Sequence, residues 1–279
     1  MTGHSGSTRR KAAVATGLLG RHYSYPGQRA FSLAARGLRR YPPPGELVYA
    51  DADGYTRVAD LRDHMESLVF VGRHRLPKPV MVEVRPGDWA IDIGANVGSV
   101  AGQLCRAVGP GGLVWAFEPI PRNLDRLRNL MQVNDLHQLH IFTSALASSA
   151  GTATIRLAGE GSSGHASFTA SWIDDGHLEV TTERLDDLTA DVDDDRPLRL
   201  VKLDVEGFEE EVLRGAEQTL RRFRPFVHCE FNDIILRDAG SSSRQLLAAF
   251  AELGYRVAPR WRRRGERLDG RNVDLLMAP

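Results

Sequence analysis

Trp89-Ala90-Ile91-Asp92-Ile93-Gly94-Ala95-Asn96-Val97-Gly98-Ser99 is the stretch on which the fold turns. An apolar run ends at an acid, meets a glycine-bracketed turn, and passes into a segment with Val97, Val100, Ala101, Leu104 and Val108 at helical spacing. A second apolar run, Leu113-Val114-Trp115-Ala116-Phe117, ends at Glu118. Strand, glycine turn, helix and a strand closing on an acid make the first half of an adenosine-cofactor site in a doubly wound α/β sheet.

Downstream the alternation continues. Pro119 and Pro121 open a helix with a buried stripe of Leu124, Leu127 and Met131, and Leu139-His140-Ile141-Phe142 reads as a third strand. Residues 151–184 read as a hairpin insertion whose strands, Ala153–Leu157 and Leu178–Thr182, flank a mobile loop at Gly159–His165. The acid run from Asp186 to Asp195 has no fixed ligand spacing and reads as solvated. Leu198–Leu203 is a fourth strand, ending at Asp204-Val205-Glu206-Gly207. The helix after it carries Glu209, Glu210 and Glu211 in its first turn and Arg221, Arg222 and Arg224 in its last, an order that suits the helix dipole. Phe226–Phe231 is a fifth strand with Glu230 near its end. Ser243 caps a last helix, and Tyr255–Ala258 with Val273–Met277 fit an antiparallel pair. Strands alternating with helices argue for a doubly wound, mainly parallel sheet with ligands at the strand C-termini.

Upstream, Pro86-Gly87-Asp88 launches the first strand, and residues 46–85 read as a small cap: a hairpin turning at Asp51-Ala52-Asp53-Gly54, then a helix with Leu61, Met65, Leu68 and Val69. Residues 1–45 form a basic leader, with Arg9, Arg10, Lys11, Arg21, Arg29, Arg36, Arg39 and Arg40, and read as a solvated tail. No run is long enough to span a membrane. The 279-residue chain is 42% hydrophobic and 26% charged with zero formal net charge, which describes an ordinary soluble protein without overall preference for nucleic acid or acidic membranes. Cys105 and Cys229 fall in a helix and a strand, read as buried free thiols in a reducing, cytoplasmic setting.

The identity of the cofactor turns on one side chain. A dinucleotide site needs a middle glycine so that backbone can approach pyrophosphate, and Asn96 stands there instead. No Lys followed by Ser or Thr succeeds the glycines, so a P-loop is excluded. S-adenosylmethionine carries adenosine without phosphate. Asp92 suits its cationic end, and Glu118 can accept both ribose hydroxyls.

These residues, with Ala116-Phe117-Glu118-Pro119, Ser144-Ala145-Leu146 with Gly151, Glu183–Leu188, Val201–Glu209, Glu211–Ala216 and Pro225–Phe231, resemble the FkbM family of methyltransferases over about residues 48–258. The resemblance implies a class I (Rossmann-like) methyltransferase fold, which the pattern of elements sets at residues 86–279, with the antiparallel C-terminal pair and the small N-terminal α/β cap before it. It also implies transfer of a methyl group from S-adenosylmethionine, often to a hydroxyl of a sugar or a natural product. The cofactor-binding set expected from the residues and the resemblance is Asp92, Gly94, Asn96, Gly98, Glu118, Ser144, Ala145 and Asp204.

A sugar hydroxyl is a poor nucleophile and needs a base or a cation. Asp204 and Glu230, at the ends of adjacent strands, are the expected catalytic carboxylates. A second reading has Asp204, Glu230 and Asn232 holding a divalent cation through oxygen, and a third has Asp204 and Glu206 holding loops and cofactor backbone. His22, His64, His74, His165, His177 and His228 are further conceivable bases, each read first as surface. A small-molecule acceptor leads. Nucleic-acid methylation, suggested by the leader and Arg260–Arg264, ranks behind it, as do N- or carboxyl-methylation of a metabolite and a non-catalytic binding module. A homo-oligomer is compatible with all of these.

Overall fold

The computed structural model describes residues 45–157, 166–167, 176–193, 195–261, 268, 270 and 272–279. The leader, the loop at Gly159–His165 and Arg262–Arg264 lie outside them. The chain begins with a hairpin, β1 (Leu47–Ala50) and β2 (Thr56–Ala59), and two short helices, α1 (His64–Phe70) and α2 (Lys78–Met81). Then β3 (Trp89–Ile93), α3 (Ser99–Val108), β4 (Leu113–Phe117), α4 (Pro121–Val133) and β5 (Leu139–Phe142) alternate. Four strands, β6 (Ala145–Leu146), β7 (Gly151–Leu157), β8 (Ala166–Ser167) and β9 (His177–Glu183), build a separate sheet. After α5 (Leu185–Thr189) come β10 (Leu198–Leu203), α6 (Glu209–Gly215), α7 (Glu217–Phe223), β11 (Phe226–Asn232), α8 (Asp233–Asp238), α9 (Ser243–Glu252), β12 (Arg256–Val257) and β13 (Asn272–Ala278).

The large sheet has the order β12-β13-β11-β10-β3-β4-β5. Its pairs from β5 through β11 are parallel, and β13 is antiparallel to both β11 and β12. The chain moves outward from β3 to β5 and then returns to lay β10 against the other side of β3. That reversal is the switch point of an open α/β sheet, where a crevice forms beyond the strand C-termini. This is the class I, Rossmann-like arrangement expected from the sequence.

Period-two alternation divides each central strand between two cores. Trp89, Ile91 and Ile93 pack on one face with Phe117, Leu203 and Phe231, while Ala90 packs on the other with Leu104, Val114 and Leu200. Both faces of β3 are covered, so it reads as an unbroken apolar run rather than an alternating one. Pro121 sits in the first turn of α4, where a missing N–H costs nothing. Cys105 and Cys229 are free and buried.

Three local readings change. The long helix expected after β10 is two, α6 and α7, broken at Ala216. A Cβ on Gly215 would stand 1.9 Å from the carbonyl oxygen of Ala147, so the chain turns where another backbone passes against it. The cap of α9 is Ser242, which accepts from the Gln245 N–H; Ser243 is fully buried, its N–H given to Asp233. Asp186 is not solvated. It is buried and accepts from the N–H groups of Gln218 and Thr219, capping α7 from outside the helix.

The hairpin is docked onto the glycine turn by one buried side chain. Arg57 pairs with Asp51 and donates to the carbonyls of Val97 and Gly98 at 3.3 and 3.1 Å. Asp51 also accepts from the N–H groups of Asp53 and Tyr55, the short-range bonding that favours Asp at such turns.

Candidate functional site

A pocket opens at the switch point, lined by the ends of β3, β4 and β10 and by Ser144, Ala145 and Leu146 at β6. Met65 and His74 close it from the N-terminal side.

The turn after β3 is fixed from below. Gly94 and Ala95 both donate to the Phe117 carbonyl, at 3.0 and 2.9 Å. Gly94 has φ +76°, and a Cβ there would stand 2.0 Å from the carbonyl oxygen of Asp204. Here glycine is required by the neighbouring strand end, not by a ligand. Asn96 has φ +52°, a left-handed conformation that Asn tolerates better than most residues, and its N–H donates to Glu118 Oε2 at 2.8 Å. Gly98 does not reach the pocket. A Cβ there would meet Leu127 and Leu130 at 2.7 and 2.9 Å, so this glycine serves the packing of α4 on α3.

Glu118 is buried and accepts three bonds, from Asn96 N–H on Oε2 and from Ile120 N–H and Asn123 Nδ2 on Oε1. Burial pushes its carboxyl up to about 6, against the pull of those donors. A carboxylate offers roughly four acceptor positions. One remains, on Oε2, so the two-hydroxyl expectation contracts to a single further bond unless Asn123 moves.

Asp92 is fully buried and does not line the pocket; it faces Lys202 Nζ at 3.5 Å. Burial raises its carboxyl, and the Lys202 charge opposes that rise. Lys202 was missed in the sequence, although a lysine inside a central strand is a signal, since a buried ammonium needs anionic or carbonyl partners. It donates to the Gly94 carbonyl at 2.7 Å and stands 3.4 Å from Asp204. Burial would lower its own pKa, but the two carboxylates outweigh burial and raise it. Lys202 thus ties the acid under the first turn to the acid of the second.

The second turn follows β10. Carboxylate oxygens of Asp204, Glu206 and Glu230 all lie within 4.8 Å of one another. Burial pushes Glu230 up to about 10 and Glu206 up to about 8, in both cases reinforced by the charge of Asp204. Burial works on Asp204 too, yet Lys202 holds it below the usual carboxylate range. One acid of the three is therefore ionised at neutral pH, and two keep protons. Glu209 folds back to accept from Val205 and Gly207 N–H at 3.2 Å, bracing the turn.

Asn232, the third oxygen ligand expected, has a further task at the start of α8. Its side-chain oxygen caps α8 by accepting from the Ile235 N–H, while Glu206, not expected as a ligand, joins Asp204 and Glu230 in the carboxylate group. Glu230 belongs to the carboxylate group, accepts from Asn272 Nδ2 at 2.8 Å, and is not on the pocket wall; Asp204 and Glu206 are. Ser144 and Ala145 line the pocket, with Ser144 Oγ bonded to Glu183. Of the described histidines, His74 alone lines it. His64 and His177 are exposed, and His228 is buried against Trp261.

A family model described as "Methyltransferase FkbM domain" matches residues 92–257, more than half of the chain. The chain belongs to the FkbM methyltransferase family. This FkbM protein is therefore a methyltransferase, and the glycine turn, Glu118 and the Asp204–Glu209 turn all fall inside the matched span. Met65 and His74 fall outside it. The protein is similar to the 2-O-methyltransferase NoeI of Sinorhizobium fredii, 28% identical over 163 residues, which are 53% of this chain and 65% of NoeI. It thus spans just under two thirds of the curated relative that it matches. Among solved structures it is similar to Methyltransferase FkbM from Methylobacillus flagellatus, at 17% identity and TM-score 0.44, covering 70% of this chain and 44% of that one. It is also similar to Aeropyrum pernix fibrillarin in complex with S-adenosyl-L-methionine, at 12% identity and TM-score 0.43, covering 84% and 83%. No helix among the described residues is long and apolar enough to cross a membrane.

Proposed function

We propose that this FkbM methyltransferase takes its methyl group from S-adenosylmethionine and places it on a hydroxyl of a small molecule, a sugar or another polyhydroxy compound. The observation that carries this reading is the polarity of one pocket. At one end Glu118 keeps a single acceptor position beside Asn96, fit for a ribose hydroxyl. At the other, ionised Asp204 faces the same space, fit for a sulfonium cation. The donor set suits a cationic nucleoside and disfavours a pyrophosphate, which would meet carboxylates at both ends. Ser144 and Ala145 would wall the adenosine side. Asp92 would act at one remove, through Lys202. NoeI's description as a 2-O-methyltransferase supports the choice of oxygen.

When bound, S-adenosylmethionine supplies a methyl carbon already activated by its sulfonium. The protein's task is to hold an acceptor oxygen in line with it and to manage one proton. Asp204, ionised at that end of the pocket, would steady the positive charge that develops there. Glu230 keeps its own proton at neutral pH and acts from behind, as a donor that helps to keep Asp204 charged. A divalent cation on these acids would have to displace the protons on Glu206 and Glu230, so its affinity would climb with pH. Calorimetry with S-adenosylmethionine, followed by mass spectrometry for a methyl gain across methyl glycosides and polyols, tests the reading. Binding without methylation of any hydroxyl would overturn it. Activity lost in EDTA and regained with magnesium would favour the cation.

A further inference from the structure

The wall that faces Asp204 comes from the cap, outside the matched span. Met65 in α1 and His74 in the segment before α2 line the pocket together with Asp204 and Glu206. His74 and its two successors are pinned in succession. The His74 carbonyl accepts from Ser99 Oγ at 2.6 Å, in the first turn of α3. Arg75 makes two bonds of 2.7 Å to Asp53 at the hairpin turn. The Leu76 N–H donates to Gln103 Oε1 at 3.1 Å, and the Leu76 side chain is buried in the core around α3. Ser99 and Gln103 are themselves buried. Four bonds to three separate partners thus fix one short segment, and they fix it by its backbone and by its neighbours.

The imidazole takes no part in that pinning. Its Nδ1 is enclosed without a hydrogen-bond partner, so Nε2 is the ring nitrogen left to meet a ligand in the pocket. The charged groups that act on the ring are Lys202 from β10, Asp204 beyond it and Arg57 from β2. Burial, with Lys202 next, lowers its pKa, so the ring is neutral at neutral pH. Asp204 acts in the other sense and would stabilise a proton once it arrived.

We propose that His74 is a catalytic residue of the methyl transfer, hydrogen-bonding the acceptor hydroxyl and taking its proton. This rests on the proposed O-methyl transfer. As the acceptor oxygen bonds to the methyl carbon, the carbon–sulfur bond breaks and its electron pair stays on sulfur. The sulfonium becomes a neutral thioether, and the hydroxyl proton passes to the imidazole. The imidazolium faces Asp204, which remains a carboxylate and compensates the new charge. The cap thereby becomes the acceptor wall of the pocket, and the cofactor keeps the wall made by the matched span.

The test uses the full chain and whichever methyl glycoside or polyol the wild type methylates. H74Q and H74A are compared with wild type in turnover and, by calorimetry, in S-adenosylmethionine affinity. The expected result is a turnover loss of roughly 10²-fold or more, the lower end of general-base contributions, with affinity for the cofactor within twofold. Added imidazole should return part of the turnover to H74A and none to H74Q. Turnover within threefold of wild type in either variant would overturn the assignment. So would a loss in H74A that imidazole does not relieve, or one matched by an equal loss of cofactor affinity. A wild type that binds S-adenosylmethionine yet methylates no hydroxyl sinks the function reading first, and His74 with it.

Discussion

Two turns meet at the floor of the pocket, and they are built alike. The first, after β3, places Asn96 at φ +52° and Gly98 at φ +80°; the second, after β10, places Glu206 at φ +52° and Gly207 at φ +100°. Their strands are adjacent and parallel. They differ in what they do with polar groups. In the first turn the Asn96 N–H and the Glu118 carboxylate satisfy each other, and the Asn96 side chain bonds the next backbone N–H. In the second, three acids crowd within 4.8 Å with Lys202 as the cation that pairs directly with Asp204. Two turns that both use left-handed residues thus serve unequal ends. The first turn, with its donors paired and one acceptor position left on Glu118, suits recognition of a donor, whereas the crowded turn stores protons and charge and suits chemistry.

The sharpest way to break the comparison is to push the turns apart. G94A would set a methyl group against the Asp204 carbonyl at a backbone angle that favours glycine. We expect a loss of at least about 3 kcal/mol in urea unfolding, combining steric clash with strain. A loss below about 1 kcal/mol would show that the turns do not bear on one another.

Next in size is the cation between them. K202M leaves Asp92 buried without its partner, a change that costs about 3–5 kcal/mol when one half of a buried pair is removed. D92N/K202M should recover a good part of that loss; a double variant no more stable than K202M would mean that Lys202 acts through Asp204 and Gly94 alone.

The recognition side is tested by E118Q, which puts an amide in front of N–H groups that now meet a carboxylate. Cofactor affinity should fall by about 10- to 100-fold, the value of one or two charge-assisted bonds. In the wild type, affinity should also fall as pH drops through about 6, where Glu118 takes a proton.

The crowded turn has its own pH signature. Glu206 and Glu230 titrate higher in the folded chain than in the unfolded one, so the folded state binds protons that the unfolded state has released. Their contribution favours the fold at low pH and is lost as pH rises, through about 8 for Glu206 and about 10 for Glu230. E230Q mimics the protonated acid. Its urea midpoint should match wild type near pH 4, where Glu230 is protonated in both folded and unfolded chains, and exceed it by a growing margin up to pH 9; a parallel decline in both proteins would show that Glu230 does not keep its proton in the folded chain. The smallest effect expected is from S99A, which frees the His74 carbonyl; turnover should drop a few-fold with cofactor affinity unchanged.

Much of this was legible in the residues. Asp92 through Gly98 and then Glu118 announce a doubly wound sheet, because a strand, a tight glycine turn and a helix leave a local pattern of period, turn chemistry and charge. The order β5-β4-β3-β10-β11 follows from that alternation, and the antiparallel C-terminal pair from its spacing. Asp204 and Glu230 were brought together by the same logic, since adjacent parallel strands end side by side. What the chain could not declare locally were side-chain partners far away in sequence. Gly94 and Gly98 look alike in the motif, yet one clears a passing carbonyl and the other two leucines of α4. Asn232 has the chemistry of a ligand, and its oxygen also caps the start of α8. Lys202 looked like one more strand residue, and His74 like one more loop histidine, until packing set the first between two acids and the second over the pocket. Local pattern fixes backbone course; which polar groups are left for chemistry depends on long-range desolvation and pairing, and only the folded chain sets those.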